Sequence, residues 1–485
     1  MNLALKVAYN SLAQLGGRFF GTALGLVAVA IMTRYLGSAL FGQYTTIITY
    51  ASIFAIAADL GLTLVASQMI NKPGVDEKKT LANLLAFRSL SALVLIGLAP
   101  LTVWLMPYAP EIKIGVVVAT ASFWFISLNQ VYVSLFQKRL KTERIAIAET
   151  ISRVILVILT AYVAWRDLGL IGMVAAMTVS NAVYFGLHWF LSRSLVKFGW
   201  RFDWKIWKEI FQLSWPLLLT IVSNLIYLKA DIFLLSLLAT PGEVGIYGAA
   251  YKVVDILVSL PFMFAGLMLP ILVSYYSSSL KDKFTSTLQT MFDVTGLAAW
   301  PLLAGGFVLA SPIMVAVAGP DFIVSGYILR ILLLAIVAVY FSCAFTHAII
   351  SLEKQRTLII YYLITAISSI PIYLILIKTY GYYGAAWGTV FSEVLICVFA
   401  WWRLRRETKF EFKWQANWRA MLAAGLMALM LWPLRDTANS ICGLIVMTVS
   451  GIVVYILLIW KFGALAGFDL VNLKQSLYGK KNSDN

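Results

Sequence analysis

The stretch Phe322–Ile350, FIVSGYILRILLLAIVAVYFSCAFTHAII, carries one charged residue, Arg330, in a run long enough to cross a bilayer. A hydrocarbon core about 30 Å thick asks for roughly 20 consecutive apolar residues of helix. Lipid offers the backbone no hydrogen-bond partners, so such a run closes its bonds within itself and becomes a helix. Thr22–Met32 (TALGLVAVAIM) and Leu218–Tyr227 (LLTIVSNLIY) read the same way, and the ~10-residue alternating strands of a membrane barrel do not occur. Composition agrees: of 485 residues, 61% are hydrophobic and 12% charged. That is about half the charge of a soluble domain. The mean hydropathy is +0.86, so the chain has more apolar surface than one compact core can hide.

Working outward from this stretch, fourteen spans emerge, at about 10–33, 42–70, 80–106, 111–136, 145–165, 169–192, 211–239, 245–277, 285–310, 322–350, 357–377, 381–402, 416–434 and 439–462. The first is too long for a signal-peptide core and no small-residue cleavage site follows it, so it is expected to remain as a helix. Pro301, Pro312, Gly319 and Pro320 interrupt the ninth and tenth spans, whose edges are therefore open. The loops alternate in charge. Of the 38 Lys and Arg, 27 lie in the two tails and every second loop, only Arg34, Lys113, Arg166, Lys378 and Arg435 lie in the others, and six lie inside spans. The positive-inside rule places the rich set and both termini in the cytoplasm of a cell (inner or plasma) membrane. The net charge of +16 is thus a matter of topology, and no nucleic-acid partner is expected. Cys343, Cys397 and Cys442 form no CxxC, and the two histidines, His188 and His347, lie far apart in apolar runs, so neither a disulfide framework nor a metal is expected.

The chain repeats itself. RYLGSALFGQY at Arg34–Tyr44 aligns with LLATPGEVGIY at Leu237–Tyr247, bringing Gly42 onto Gly245 and Tyr44 onto Tyr247. LKTER at Leu140–Arg144 aligns with LEKQR at Leu352–Arg356. GLIGMVAAMTVS at Gly169–Ser180 aligns with GYYGAAWGTVFS at Gly381–Ser392. In the last pair, small residues fall on one helix stripe, which permits close helix contact. Phe202, Trp204 and Trp207 among Lys205 and Lys208, and Phe412, Trp414 and Trp418 among Lys413 and Arg419, follow each sixth span. They read either as amphipathic segments lying in the interface or as an aromatic belt at a helix end. A unit of six spans repeats in the same orientation, giving two parallel lobes around a central cavity. The expected domains are 1–200, 201–410 and 411–485, the last holding two additional helices and a cytoplasmic tail.

Charges inside lipid are costly and face a cavity or one another. The basic ones are Arg18, Arg88, Arg153, Lys229, Lys252 and Arg330, and the acidic ones Asp59, Glu149, Asp231, Asp255, Asp293 and Glu393. Glu149 and Arg153, at i and i+4, are expected to pair locally, and Arg88 either snorkels to the surface or stays buried. Asn10, Gln14, Arg18 and Thr22 make a polar stripe on span one, and Thr45, Thr49, Ser52, Asp59 and Thr63 one on span two. Asn224, Tyr227 and Asp231 share a face of span seven, as do Gly248, Lys252, Asp255 and Ser259 on span eight. Each stripe is either a packed polar seam or the lining of a cavity.

LG-x3-FG-x-Y at Leu36–Tyr44, DLGL at Asp59–Leu62 and GEVGIYGAAYKVVD at Gly242–Asp255 together resemble the Wzx-type polysaccharide transporters, the oligosaccharide flippases of the multidrug/oligosaccharidyl-lipid/polysaccharide (MOP) exporter superfamily. The resemblance spans nearly the whole chain. It implies a V-shaped cavity lined by the first two helices of each lobe, and alternating access that carries a polyprenyl-pyrophosphate oligosaccharide to the outer leaflet. On that footing the stripes line the cavity. Arg18 is the expected pyrophosphate-capture residue, since arginine suits paired phosphate oxygens. Lys252, Arg330 and Lys229 are further cations, and Asn10, Gln14, Asn224 and Tyr227 meet sugars. The prenyl tail stays in the bilayer, trailing through a gap between the lobes. Asp59, Asp231, Asp255 and Glu393 are the acids that H+ or Na+ would use for coupling, with no other cofactor. The runner-up is a multidrug cation antiporter of the same superfamily. An enzyme, such as a polysaccharide polymerase or glycosyltransferase, is disfavoured by short outer loops and by the lack of GxSxG, HExxH or Walker motifs. A monomer in contact with membrane lipids, working beside polymerase machinery, completes the expectation.

Overall fold

The computed structural model describes the backbone of residues 3–464 and the side chains of residues 20–215, 227 and 229–464. Among the described residues all regular structure is helical: α1 (Leu3–Asp59), α2 (Leu62–Asn71), α3 (Glu77–Thr102), α4 (Pro110–Lys138), α5 (Glu143–Trp165), α6 (Gly169–Ser192), α7 (Trp204–Leu238), α8 (Pro241–Ser277), α9 (Lys281–Ala318), α10 (Ser325–Ser351), α11 (Gln355–Thr408), α12 (Gln415–Leu431) and α13 (Ile441–Lys461). Ten of the described segments are long and apolar enough to cross a membrane. Two of them, Phe20–Asn71 and Gln355–Thr408, have 52 and 54 residues. At ~1.5 Å per residue each is more than twice a bilayer core, and each turns sharply at a glycine. Gly37 sits at φ 66°, ψ 179° and Gly381 at φ 56°, ψ −132°, backbone regions open to glycine alone. The turns fall where the sequence separates its first from its second span, and its eleventh from its twelfth. The chain is an all-α, multi-pass membrane protein.

Two edges differ from expectation. α9 continues eight residues beyond the anticipated end at 310, through Pro301 and Pro312, and stops only at Gly319 (φ 105°) and Pro320. Prolines are tolerated in membrane helices because neighbouring groups re-satisfy the freed carbonyls. The second span breaks midway, at Leu60 (φ 46°) and Gly61 (φ 74°), which divide α1 from α2 beside Asp59.

The internal repeat is present in the local geometry. α4 ends with Leu140 at φ 50° and a bond from Lys141 N to Phe136 O of 2.8 Å. α10 ends with Glu353 at φ 60° and a bond from Lys354 N to Ile349 O of 3.2 Å. These closures match one residue away from the alignment of Leu140 with Leu352. The small-residue stripes pack as expected. A Cβ on Gly172 would lie 2.8 Å from Leu168 Cβ, and one on Gly384 1.9 Å from Leu376 O. Ser180 Oγ donates to Ser152 O at 2.7 Å, while the Tyr373 hydroxyl meets Thr389 at 3.2 Å and Ser392 at 3.4 Å.

The chain divides into two compact units, Met1–Gly248 with Val317–Asp321, and Ala249–Ala316 with Phe322–Asn485. The first is centred on Leu62, Ile70, Leu81, Tyr132 and Phe136, onto which Ile210 of α7 packs. The second is centred on Phe284, Phe292, Phe341, Phe345 and Leu404, and α12 and α13 join it through Ala423, Met427, Leu431 and Tyr455 against Val308 and Leu309. The aromatic rows fall at helix starts. Residues 196–203 are not helical, Trp204–Lys208 are the opening turns of α7, and Trp414 precedes α12 directly. Trp200, Phe202, Trp204, Trp414 and Trp418 are all exposed.

Asp203 fixes the entry to α7. Its carboxylate accepts from Lys205 N (3.0 Å) and pairs with Lys79 Nζ (2.5 Å), while its own N–H donates to Asn83 Oδ1 (2.7 Å). The bond from Lys79, with the α7 amides of Lys205 and Ile206, holds the Asp203 carboxyl below its ordinary value. A depressed carboxylate stabilises above its unfolded pKa, about 4, and loses that contribution as pH falls through the lower folded value. Proteolysis of the α6–α7 connection should therefore accelerate only in acid, and Asp203→Asn should flatten that dependence. Separately, Gly381→Val should cost on the order of 1–3 kcal/mol, read as a lower Tm in detergent. Gly97→Ala in α3, where a Cβ meets open space, should not lower it.

Candidate functional site

The RYLGSALFGQY segment of α1 meets its repeat partner at the start of α8. Both belong to the first compact unit. A Cβ on Gly42 would lie 1.7 Å from Pro241 O, and one on Gly245 1.9 Å from Ser38 O. Backbone therefore rests on backbone, and only glycine fits at either position. A Cβ on Gly248 would likewise strike Thr45 at 2.8 Å. Beside this contact the rings of Tyr50, Tyr108 and Phe233 gather, with Tyr50 centred 6.1 Å from Tyr108 and 6.3 Å from Phe233. The Tyr108 hydroxyl meets Ser236 Oγ at 2.8 Å and that of Tyr50 meets Thr102 at 2.9 Å. Arg34 and Tyr35 lock the turn: Arg34 Nη1 donates to Ala30 O and Val317 O, each at 3.1 Å. The Tyr35 hydroxyl donates to Asp167 Oδ1 at 2.6 Å and accepts from Gly169 N at 2.8 Å.

The expected site residues distribute as follows. The side chains of Asn10, Gln14 and Arg18 on α1, and of Asn224 on α7, lie outside the described residues. Tyr227 and Lys229 on α7 and Lys252 on α8 are half-buried, and Asp255 is exposed. Asp231 is buried and accepts from the Tyr247 hydroxyl at 2.8 Å, which ties α7 to α8. Glu393 is half-buried on α11, next to the Ser392–Tyr373 contact. Arg330 is half-buried on α10. Its guanidinium lies between the rings of Phe307 (5.3 Å) and Tyr327 (5.0 Å), and Nε donates to Phe307 O at 2.9 Å.

Asp59 is joined to Arg88, which decides between the two readings of that arginine: it is buried and paired. Arg88 Nη2 forms an ion pair with Asp59 Oδ1 and also donates to Thr63 Oγ1 (3.2 Å), and Nε donates to Ser127 Oγ (3.1 Å). Thr63 Oγ1 donates to Asp59 Oδ1 at 2.7 Å. This cluster stands at the break between α1 and α2, where the last carbonyls of α1 favour a nearby cation.

The expected Glu149–Arg153 pair is absent among the described residues. Glu149 faces α1 instead, its Oε1 3.4 Å from where a Cβ on Gly21 would sit. That is one helical turn from Arg18. The missing side chain of Gly21 makes the room, which helical spacing within α5 alone does not reveal. A second cluster went unforeseen. Asp293 on α9 accepts from Gln289 Nε2 (3.0 Å) and from Asn417 Nδ2 of α12 (3.2 Å), and Asn417 Oδ1 accepts from Trp300 Nε1 (3.2 Å). Its signal was Gly296, where a Cβ would fall 1.5 Å from Asn417 Oδ1. Both histidines are bonded: buried His188 Nδ1 to Asn129 Oδ1 (3.0 Å), and half-buried His347 Nδ1 to Cys343 O (2.8 Å).

The second unit also holds a half-open apolar cavity of about 620 Å³ between α8, α9, α10, α12 and α13. Among its few polar lining residues, Tyr340 and Tyr455 turn their hydroxyls onto the carbonyls of Leu257 (3.1 Å) and Leu297 (2.8 Å).

A family model described as polysaccharide biosynthesis protein matches residues 5–276. No curated protein matches the sequence significantly. Among solved structures, the lipid II flippase MurJ in an inward closed conformation aligns with a TM-score of 0.76 at 19% identity, covering 95% of this chain and 100% of that one. An inward-facing multidrug resistance MATE family transporter of the MOP superfamily aligns at 0.67 with 14% identity, over 82% of this chain and 98% of that one. A MOP superfamily transporter from Pyrococcus furiosus, whose binding pocket is described as of reverse polarity, aligns at 0.57 with 14% identity, over 84% and 96%. At these identities the likeness is one of fold.

The Asp59–Arg88 pair is open to a double-mutant cycle. Arg88→Met, which strands the carboxylate, should destabilise by about 3 kcal/mol, the low end for a broken buried pair because Asp59 stays partly exposed. Adding Asp59→Leu should recover most of that loss, measured as Tm of the purified protein in detergent.

Proposed function

This chain belongs to the polysaccharide biosynthesis protein family, and on that premise we propose that it is a flippase. It moves a polyprenyl-pyrophosphate-linked oligosaccharide, the repeat unit of O-antigen or another cell-surface polysaccharide, from the cytoplasmic to the outer leaflet by alternating access. The observation that carries this reading is the Gly42–Gly245 contact. Two repeat-related segments close on each other by backbone packing alone, on the side of the membrane poor in lysine and arginine. Such a contact is small, free of interlocking side chains and therefore separable, which is what an outer gate requires. The charge asymmetry supports placing this gate outside and both termini in the cytoplasm of an inner or plasma membrane.

The polar stripe of α1 takes the pyrophosphate, with Arg18 as its paired donor and Glu149 facing the same helix to orient it. Lys229 and Lys252 add positive charge, and Asn10, Gln14, Asn224 and Tyr227 meet the sugars. Arg330 is clamped by its aromatic neighbours Phe307 and Tyr327. The prenyl tail remains in contact with the bilayer. The apolar cavity of the second unit, walled on one side by the exposed Ile452 of α13, supports this. Asp59 already balances Arg88, so the coupling ion, H+ or Na+, is assigned to Asp231, Asp255 or Glu393. The protein acts as a monomer that passes its product to polymerase machinery, and transport needs no covalent chemistry.

The test is a strain lacking this protein, with lipid-linked oligosaccharides sorted by leaflet. Accumulation on the cytoplasmic face should be reversed by the wild type but not by Arg18→Ala or Gly42→Leu. Reversal by Arg18→Ala would remove the capture role. Absence of accumulation together with a gain in drug sensitivity would replace the flippase by a multidrug cation antiporter.

A further inference from the structure

We infer that the second unit carries a binding site for a bilayer glycerophospholipid with an anionic headgroup, in a groove between α9 and α12 closed at one end by Arg330 and Arg435. The site is independent of the transport reading. It shares no lining residue with the larger apolar cavity.

The groove has a volume of about 550 Å³. Small residues, among them Ala304, Ala424 and Gly425, form its floor, and a Cβ added at Gly425 would meet nothing within 4 Å. Phe307, Leu429 and Trp432 wall it and are themselves exposed, by 46%, 71% and 44%. The trough therefore opens to the surrounding bilayer.

Its two ends differ in charge. At one end the wall residue Phe307 holds Arg330 by its ring and its carbonyl, and the wall residue Trp432 holds Arg435, whose guanidinium lies 4.7 Å from the ring centre. The opposite end, at Trp300, Leu303 and Met421, is apolar. No acid occurs in residues 300–308, 327–334 or 421–432. Among the described residues, the one carboxylate paired with either arginine is Asp436, an exposed neighbour 3.8 Å from Arg435. Snorkelling would extend Arg330 toward water. Two rings and a carbonyl instead pin it at the rim of the groove, and among the described residues its Nη groups have no protein acceptor. A fixed planar guanidinium with unused donors is suited to phosphate oxygens, and an apolar trough leading away from it is suited to an acyl chain. Charge and shape thus select an amphiphile carrying its phosphate at the Arg330 end.

The experiment is native mass spectrometry of the delipidated full-length protein titrated with phosphatidylglycerol. The wild type should retain one lipid molecule more tightly than the rest. Arg330→Gln should weaken that retention by about tenfold or more, the loss expected for a charged hydrogen bond. Gly425→Leu, which fills the trough and leaves both arginines in place, should abolish it at unchanged Tm. Retention equal to wild type in both variants would overturn the site. Displacement of the retained lipid by polyprenyl phosphate at matched concentration would also overturn it, by giving the groove to the transported substrate.

Discussion

Everything in this molecule answers to the absence of water in the bilayer core. A backbone amide there has no partner outside its own segment, so the chain runs as helices, and each interruption is resolved locally. Gly37 and Gly381 turn the two longest helices at backbone angles that other residues do not adopt. Leu60 and Gly61 break a helix within a span, and there Arg88, Asp59, Thr63 and Ser127 bond to one another. The same rule applies to Asp293, which is met by the amides of Gln289 and Asn417, and to Asp231, which is met by Tyr247. These bonded polar side chains are joints within and between helices.

Glycine performs a second task. Where the repeat partners α1 and α8 meet, removal of side chains brings backbone against backbone, so the closed contact is intimate yet has nothing to unlatch. The same economy of side chains lets α5 pack on α6 and the two halves of α11 on each other. These devices come in pairs along the chain, with Gly172 matched by Gly384 and Leu140 by the neighbour of Leu352.

The helices, the turns between them and the repeat were legible because each leaves a local mark: an apolar run, a glycine, a short motif. What escaped depended on a neighbour distant in sequence. The i, i+4 spacing of Glu149 and Arg153 describes α5 alone, whereas the direction of Glu149 is set by the gap at Gly21 on α1. Arg88 was ambiguous until α1 supplied Asp59. The rings that clamp Arg330 lie on α9 and on its own first turn, and the apolar run around it gives no sign of them. The run Ile331–Tyr340 marks a membrane helix, but not that α10 is enclosed by protein on most of its surface, since lipid and core select the same residues. Prolines 301 and 312 suggested an early end to α9, which the packing of α12 and α13 against that stretch makes unnecessary. Of the residues expected to hold substrate, the structure describes the surroundings of those on α8 and at the end of α7, while Arg18, the residue given most weight, lies beyond it.

The most direct measurement joins the gate to transport in a purified system. With Cys343, Cys397 and Cys442 replaced by serine, Ser38→Cys and Gly242→Cys place two thiols across the contact, since a Cβ on Gly242 lies 4.0 Å from Ser38 Oγ. In proteoliposomes holding a polyprenyl-pyrophosphate oligosaccharide, the reduced protein should carry substrate between leaflets, and the oxidised protein should stop until reductant is added. Equal transport by the cross-linked and reduced forms would show that this contact is not the gate, and no transport by either form, beside an active wild type, would contradict the account in the same way.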